Sequence, residues 1–328
     1  MQSIAGILII LCIASVGVRA VEAVMDFPAL PEGETGIASK YPGDSGIDKD
    51  AAVIYTDNFE NGKSKADNQW GGVTFTQKAE NVHGGKYAME LKMVRPLPEG
   101  DKSFGLGVMQ HFKEGYDVMF LRYYAKFEKD TELFHGGTHA GAGIFARAPG
   151  VPDSKPGIPA DGKNEYSILL DTWRSDEKIA SPGNLVLYVY HPEQRHQWGE
   201  QFFPSGKLMP YTEKKPEAFF GKQFKSRPDF VPERDRWYCY ELMVKANTPG
   251  KRDGRLAFWV DGKLAADFPN MRLRDVDTLK ANRISFGLGS QNEKVLKTCT
   301  MWYDDIVAAT AYIGPVTKDP KSAPVGRK

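Results

Sequence analysis

Three histidines, two tyrosines and two arginines carry most of the chemistry this chain can offer. His135 and His139 stand four apart in His135-Gly136-Gly137-Thr138-His139-Ala140-Gly141-Ala142-Gly143. On a helix that spacing would turn both imidazoles toward one metal. Glycine opposes a helix here, so the segment reads as a glycine-lined turn bringing backbone and imidazole close to a ligand. Further on, Trp173-Arg174 is followed by Tyr188-Val189-Tyr190-His191. In an extended strand Tyr188 and Tyr190 point to one face, their hydroxyls roughly 7 Å apart along it. Arg174, ending the preceding strand, would join that face. Phenols beside a guanidinium can bind a carboxylate and move a proton. A tyrosine with an ordinary pKa near ~10 serves as a base only when a cation tunes it, and Arg174 would do so.

Other chemistries are poorly represented. There is no Gly-x-Ser-x-Gly elbow and no glycine-rich phosphate loop. The strand acids Glu165, Asp171 and Glu241 are scattered, without the Glu-x-Asp-x-x-Glu run of the laminarinase and lichenase type. Lys plus Arg number 43 against 42 Asp plus Glu, so no global field draws the chain to nucleic acid or to a membrane, and an acidic substrate must be met by local cations.

The elements that must position these residues are strands. Alternation and aromatic or β-branched runs predict strands at 53–55, 72–76, 87–93, 107–112, 118–127, 165–173, 184–191, 237–246, 255–260, 283–289 and 299–309. Over 118–127, Arg122, Tyr124 and Lys126 fall on one face and Leu121, Tyr123 and Phe127 on the other. Glycines and prolines dominate 129–164, which reads as loop. Residues 192–235 hold many aromatics and prolines with neither period and are expected to form a long ordered loop capping one mouth of a groove, with Trp198, Phe202, Phe203 and Tyr211 as a stacking platform. No helical periodicity extends beyond a turn or two.

At the N-terminus an apolar run from Ile4 to Val18, with small-residue cleavage positions near 18–23, predicts a secretory signal peptide over 1–23. It is short for a membrane span. A secreted or periplasmic chain follows, with an extended leader over 24–50, one domain over 51–315 and a disordered Lys/Pro tail over 316–328. Cys239 and Cys299 could form a disulfide in such a compartment or stand as separate buried thiols.

From Asn184 to Pro315 the sequence resembles the alginate- and glucuronan-lyase type of β-jelly roll. The resemblance rests on Tyr188-Val189-Tyr190, the run Arg236 to Thr248, Asp253-Gly254, Trp259-Val260-Asp261-Gly262, Arg272-Leu273-Arg274, Phe286-Gly287-Leu288-Gly289-Ser290 and Trp302-Tyr303-Asp304-Asp305. It implies an all-β, concanavalin A-like sandwich of two antiparallel sheets, one of them concave. It also implies a polysaccharide lyase that cleaves a uronate-containing polymer by β-elimination. The upstream half departs from that pattern: Thr138 stands where such lyases have a catalytic Lys, and the Arg of their Ser-x-Arg pair is missing after Ser167.

A lyase would use Arg174, with Arg147, on the uronate carboxylate, His139 or Tyr190 as base and Tyr188 as acid, while His135, His191 and Trp198 contact substrate. No cofactor is expected for the chemistry. The expected partner is an acidic polysaccharide, met by a monomer. The alternatives are a glycan-binding protein without activity and a glycoside hydrolase on the same fold. Finally, Glu60 and Asp305, on the first turn and last strand, are expected to share a structural calcium.

Overall fold

The computed structural model describes residues 27–95, 104–134, 138–153, 156–211, 215–290 and 297–318. The proposed signal segment and His135 lie outside them. Sixteen strands form among the described residues: β1 Val53–Asp57, β2 Asn68–Trp70, β3 Thr74–Thr76, β4 Ala88–Met93, β5 Phe104–Tyr116, β6 Val118–Phe127, β7 Thr138–Arg147, β8 Glu165–Trp173, β9 Asn184–Tyr190, β10 Glu200–Phe202, β11 Leu208–Met209, β12 Tyr238–Lys245, β13 Gly254–Val260, β14 Lys263–Met271, β15 Ala281–Ser290 and β16 Cys299–Ala309. They make two antiparallel sheets of eight strands. One runs β14-β13-β12-β6-β16-β4-β3 with β1 on β16; the other runs β11-β10-β9-β8-β7-β15-β5-β2. The expected all-β jelly-roll sandwich is what the chain forms.

Period-two alternation builds the interior. Leu121, Tyr123, Ala125 and Phe127 of β6 face Ile144, Ile168, Leu187 and Phe286 of the other sheet in one hydrophobic core. The opposite face of β6 is also closed off. Arg122, Tyr124 and Lys126 are all buried there, because a second layer of chain lies over them. Part of that layer is the segment expected to be an extended leader. It forms three 3-10 turns, whose Ile37, Ala38 and Ile47 pack with Phe120, Trp259 and Tyr312, while Asp44 pairs with Arg122.

Five strands lie outside the predicted set: β2, β7, β10, β11 and β14. β7 carries Gly141 and Gly143, and β14 contains Pro269, which is tolerated because β14 is an edge strand. Residues 192–235, expected as a long ordered loop, contain regular elements among the described residues. β10 pairs with β9, β11 pairs with β10, and a short helix, α1 Glu217–Phe220, follows. Phe202, Phe203 and Phe220 are buried rather than forming a stacking platform. Cys239 and Cys299 are separate buried thiols. Among the described residues no helix is long and apolar enough to cross a membrane.

Candidate active site

A groove of about 730 Å³ runs over the outer face of the sheet that contains β7, β8, β9 and β15. Alternation decides what enters it. His139, Gly141, Phe145 and Arg147 of β7 line it, as do Glu165, Ser167, Leu169, Asp171 and Trp173 of β8, and Tyr188 and Tyr190 of β9. Their strand neighbours Ala140, Ile144, Ile168 and Leu187 point into the core.

Glycine makes the floor. A Cβ on Gly141 would lie 1.9 Å from the Leu170 carbonyl oxygen, so no other residue fits there. A Cβ on Gly107 would sit 2.6 Å from the Trp70 ring, which packs over the floor from the edge strand β2. At the other edge Trp198 stands on the rim, 43% exposed.

His139 is anchored through Nδ1, 2.7 Å from Asp171 Oδ2. Asp171 Oδ1 accepts the backbone N–H groups of Ala140 (2.9 Å) and Thr172 (2.7 Å). The carboxylate is thereby fixed, and Nε2 is the imidazole nitrogen left for a ligand. Burial works to lower the His139 pKa, but the hydrogen bond and charge of Asp171 outweigh it and raise it above its ordinary value. Nearly half the side chain is exposed to the groove.

Tyr188 lies beside His139, ring centroids 5.0 Å apart. Tyr188 and Tyr190 are edge-to-face, with hydroxyls 3.3 Å apart, closer than strand spacing alone gives. Tyr188 Oη accepts the Gly199 N–H at 3.1 Å and Tyr190 Oη the Gly157 N–H at 3.4 Å. Gly199 is needed for this, since a Cβ there would meet both rings at 2.8–2.9 Å. Burial, reinforced by Tyr190, raises the Tyr188 pKa well above the ordinary phenol range, so it stays protonated at neutral pH. Directly across from Tyr188 on β10 is Gln201, a groove residue whose side-chain amide has no partner among the described residues.

Arg174 does not reach the groove. It follows the groove-facing Trp173 and so turns the other way, where Nη1 pairs with Glu132 at 2.7 Å and Nε donates to the Ile179 carbonyl at 2.7 Å. His191 likewise follows Tyr190 and points inward, fully buried, with Nε2 3.0 Å from Glu200 Oε2 and its ring against Phe202 and Phe219. Arg147 does line the groove, but its guanidinium is spent: it donates to the Ala146 and Tyr166 carbonyls and to Ser167 Oγ, and lies 3.4 Å from Glu165. A guanidinium from β7 thus reaches the strand on which the resemblance finds its Arg missing.

Glu60 and Asp305 both hold the same turn. Glu60 Oε1 accepts the N–H groups of Lys86 and Tyr87, and Asp305 Oδ2 is 2.7 Å from His83 Nδ1. Among the described residues no group of three or more His, Cys, Asp or Glu side chains is gathered to hold a metal.

Two groove residues were not legible as site residues beforehand: Asp171, one of the scattered strand acids, and Gln201. Asp171 shares parity with Ser167 and Trp173, which is the signal that could have placed it.

No family model matches the sequence, and no curated protein matches it either. Among solved structures, the chain is similar to a marine PL-14 alginate lyase from Aplysia kurodai, at 15% identity and a TM-score of 0.54, covering 79% of this chain and 100% of that one. It is also similar to alginate lyase Aly36B (15% identity, TM-score 0.51, 79% and 98% covered) and to alginate lyase vAL-1 from Chlorella virus (14%, 0.50, 79% and 100%). At this identity the likeness defines the fold: the jelly roll on which those alginate lyases are built.

Proposed function

We propose that the protein is a polysaccharide lyase that cleaves a polyuronate by β-elimination, with His139 as base and Tyr188 as acid. The observation that carries this reading is a fixed imidazole beside a protonated phenol on the floor of a groove open to polymer. His139 Nε2 removes the proton on C5, the carbon bearing the carboxylate. Tyr188 gives its proton to the departing O4, and Tyr190, hydrogen-bonded to it, can replace that proton. The bond from C4 to O4 breaks, and its electrons leave with the oxygen. The electrons of the C5–H bond form a C4–C5 double bond. Gln201, opposite Tyr188, donates its amide N–H groups to the uronate carboxylate and stabilises the charge that develops there. Positioned acid–base groups of this kind are worth roughly 10²–10⁴ in rate.

Base and acid are neighbours on one sheet face, so they approach the sugar from the same side. That favours uronates in which H5 and O4 lie on one face of the ring, the D-glucuronate and D-mannuronate configurations, over guluronate or galacturonate. We place the reaction outside the cytoplasm on the strength of the Ile4–Val18 run.

Hydrolysis by the Glu165–Asp171 pair is disfavoured by geometry. Glu165 and Asp171 lie six residues apart on one strand, about 20 Å, beyond the separation glycosidases use. Mass spectrometry of the oligosaccharide products tests the reading. Elimination gives a new end lighter by one water than hydrolysis gives. Fully hydrated ends alone would overturn it.

A further inference from the structure

A second hollow, of about 330 Å³, lies on the other sheet, between the β13–β14 hairpin and the chain that leads into β12. Arg227, Phe230, Arg236, Tyr238, Lys263 and Leu264 line it. One of its cations is unusually free. Every other described arginine donates a side-chain hydrogen bond to an oxygen acceptor. Arg227 has no such partner among the described residues, and its Nε is buried without one. Lys263 is exposed and makes no ion pair among the described residues. Arg236 is half exposed and lies 4.1 Å over the Tyr238 ring.

One acid shares the hollow, and it is already engaged. Asp261 accepts from Arg236 Nη2 and from the Cys239 N–H, both at 2.9 Å. Three cations therefore face one satisfied carboxylate. The catalytic groove has the opposite balance, with Asp153, Glu165 and Asp171 against Arg147.

We infer that this hollow is a second, non-catalytic binding site for the carboxylate-bearing sugars of a polyuronate, resting on the reading above that such a polymer is the substrate. Arg227 and Lys263 take the carboxylate, and the apolar wall of Phe230 and Leu264 takes the C–H face of the ring. The Arg227 Nε is buried without an acceptor, which is costly, and a carboxylate supplies an acceptor to this guanidinium. A polymer held there stays near the groove on the opposite sheet, which raises the effective concentration of cleavable chain without altering chemistry.

Calorimetric titration of the full chain carrying Tyr188→Phe, which silences turnover, with an oligoglucuronate and an oligomannuronate tests the site. Two molecules per chain are expected, falling to one when Arg227→Ala and Lys263→Ala are added. In the active chain the same pair should raise KM on polymer several-fold, leaving kcat and KM on short oligosaccharides unchanged. Lys263→Glu alone, at an exposed position, supplies the same readout should the double variant fold poorly. One-site binding by the silenced parent, or two-site binding that survives the substitutions, overturns the inference while leaving the lyase reading intact. Equal competition by inorganic sulfate also overturns it, reducing the hollow to a simple anion patch. Two-site binding with no elimination by the active chain would instead sink the lyase reading alone.

Discussion

His139 and Asp171, on the adjacent strands β7 and β8, are joined by a 2.7 Å contact that fixes the imidazole over a glycine floor. A base must be neutral to take a proton, and Asp171 holds the His139 pKa above its ordinary 6.5. Activity should therefore rise with pH through that raised value. Asp171→Asn removes the charge, so the acidic limb of the pH–rate profile should move to lower pH while the maximal rate falls. An unmoved limb would separate Asp171 from the base. The pairing also stabilises the fold below the unfolded pKa of His139 and is lost as pH rises through the folded one, a modest effect at so exposed a ring.

Tyr188→Phe should lower kcat by about 10²–10⁴ with little change in KM, as expected when a proton donor acts in the transition state. Tyr190→Phe should cost less, because Tyr190 reaches the reaction through Tyr188. Because Tyr188 stays protonated well above neutral pH, no alkaline limb from its ionisation should appear near neutrality. Steady-state kinetics across pH, on polymer and on short oligosaccharides, would check all three points.

Arg174→Ala should leave kcat/KM per folded molecule unchanged and lower stability by about 1–3 kcal/mol, through loss of the Glu132 pair and the carbonyl hydrogen bonds it makes. Denaturant unfolding alongside kinetics separates the two effects. A hundredfold loss of activity with unchanged stability would return Arg174 to the reaction.

How much of this was legible depends on parity and glycine. Tyr188 and Tyr190 share one face because they stand two apart on the strand β9. The same rule, carried one residue further, turns His191 and Arg174 away from that face, since each directly follows a groove-facing residue. β7 was hidden because Gly141 and Gly143 read as loop signals, yet they are strand residues whose missing side chains make the floor. With β7 unseen, the partner of Asp171 was unseen too. The burial of Arg122, Tyr124 and Lys126 could not be read from β6, because the chain that covers them lies far away in sequence.

Stability should fall as pH rises from weakly acid to neutral. Burial pushes the Glu241 carboxyl up to about 7, against the Ile313 and Gly314 N–H groups that favour its ionised form. Burial beside Asp305 raises Asp304 as well. A folded-state pKa above the unfolded one means the native state holds the proton longer. For Glu241 that costs stability progressively from about 4.5 to about 7 and no further above it. The melting temperature should be higher at about pH 5 than at about pH 8, and Glu241→Gln should flatten the slope. A wild-type curve already flat over that range would refute the assignment.

One oxygen of each carboxylate, Glu60 Oε1 and Asp305 Oδ2, holds the 83–87 turn, so a calcium shared by the two would be bound through their other oxygens. Chelator should leave the melting temperature unchanged where these hydrogen bonds alone hold the turn. A fall of several degrees, reversed by added calcium, would establish the ion.

The most direct test follows ultraviolet absorbance and reducing ends together while the purified chain acts on polyglucuronate, polymannuronate and polyguluronate. The account predicts that absorbance of the C4–C5 double bond grows in step with reducing ends on the first two polymers, is weak on the third, and vanishes for His139→Ala. Reducing ends without absorbance, or polymer bound with neither signal, would contradict it.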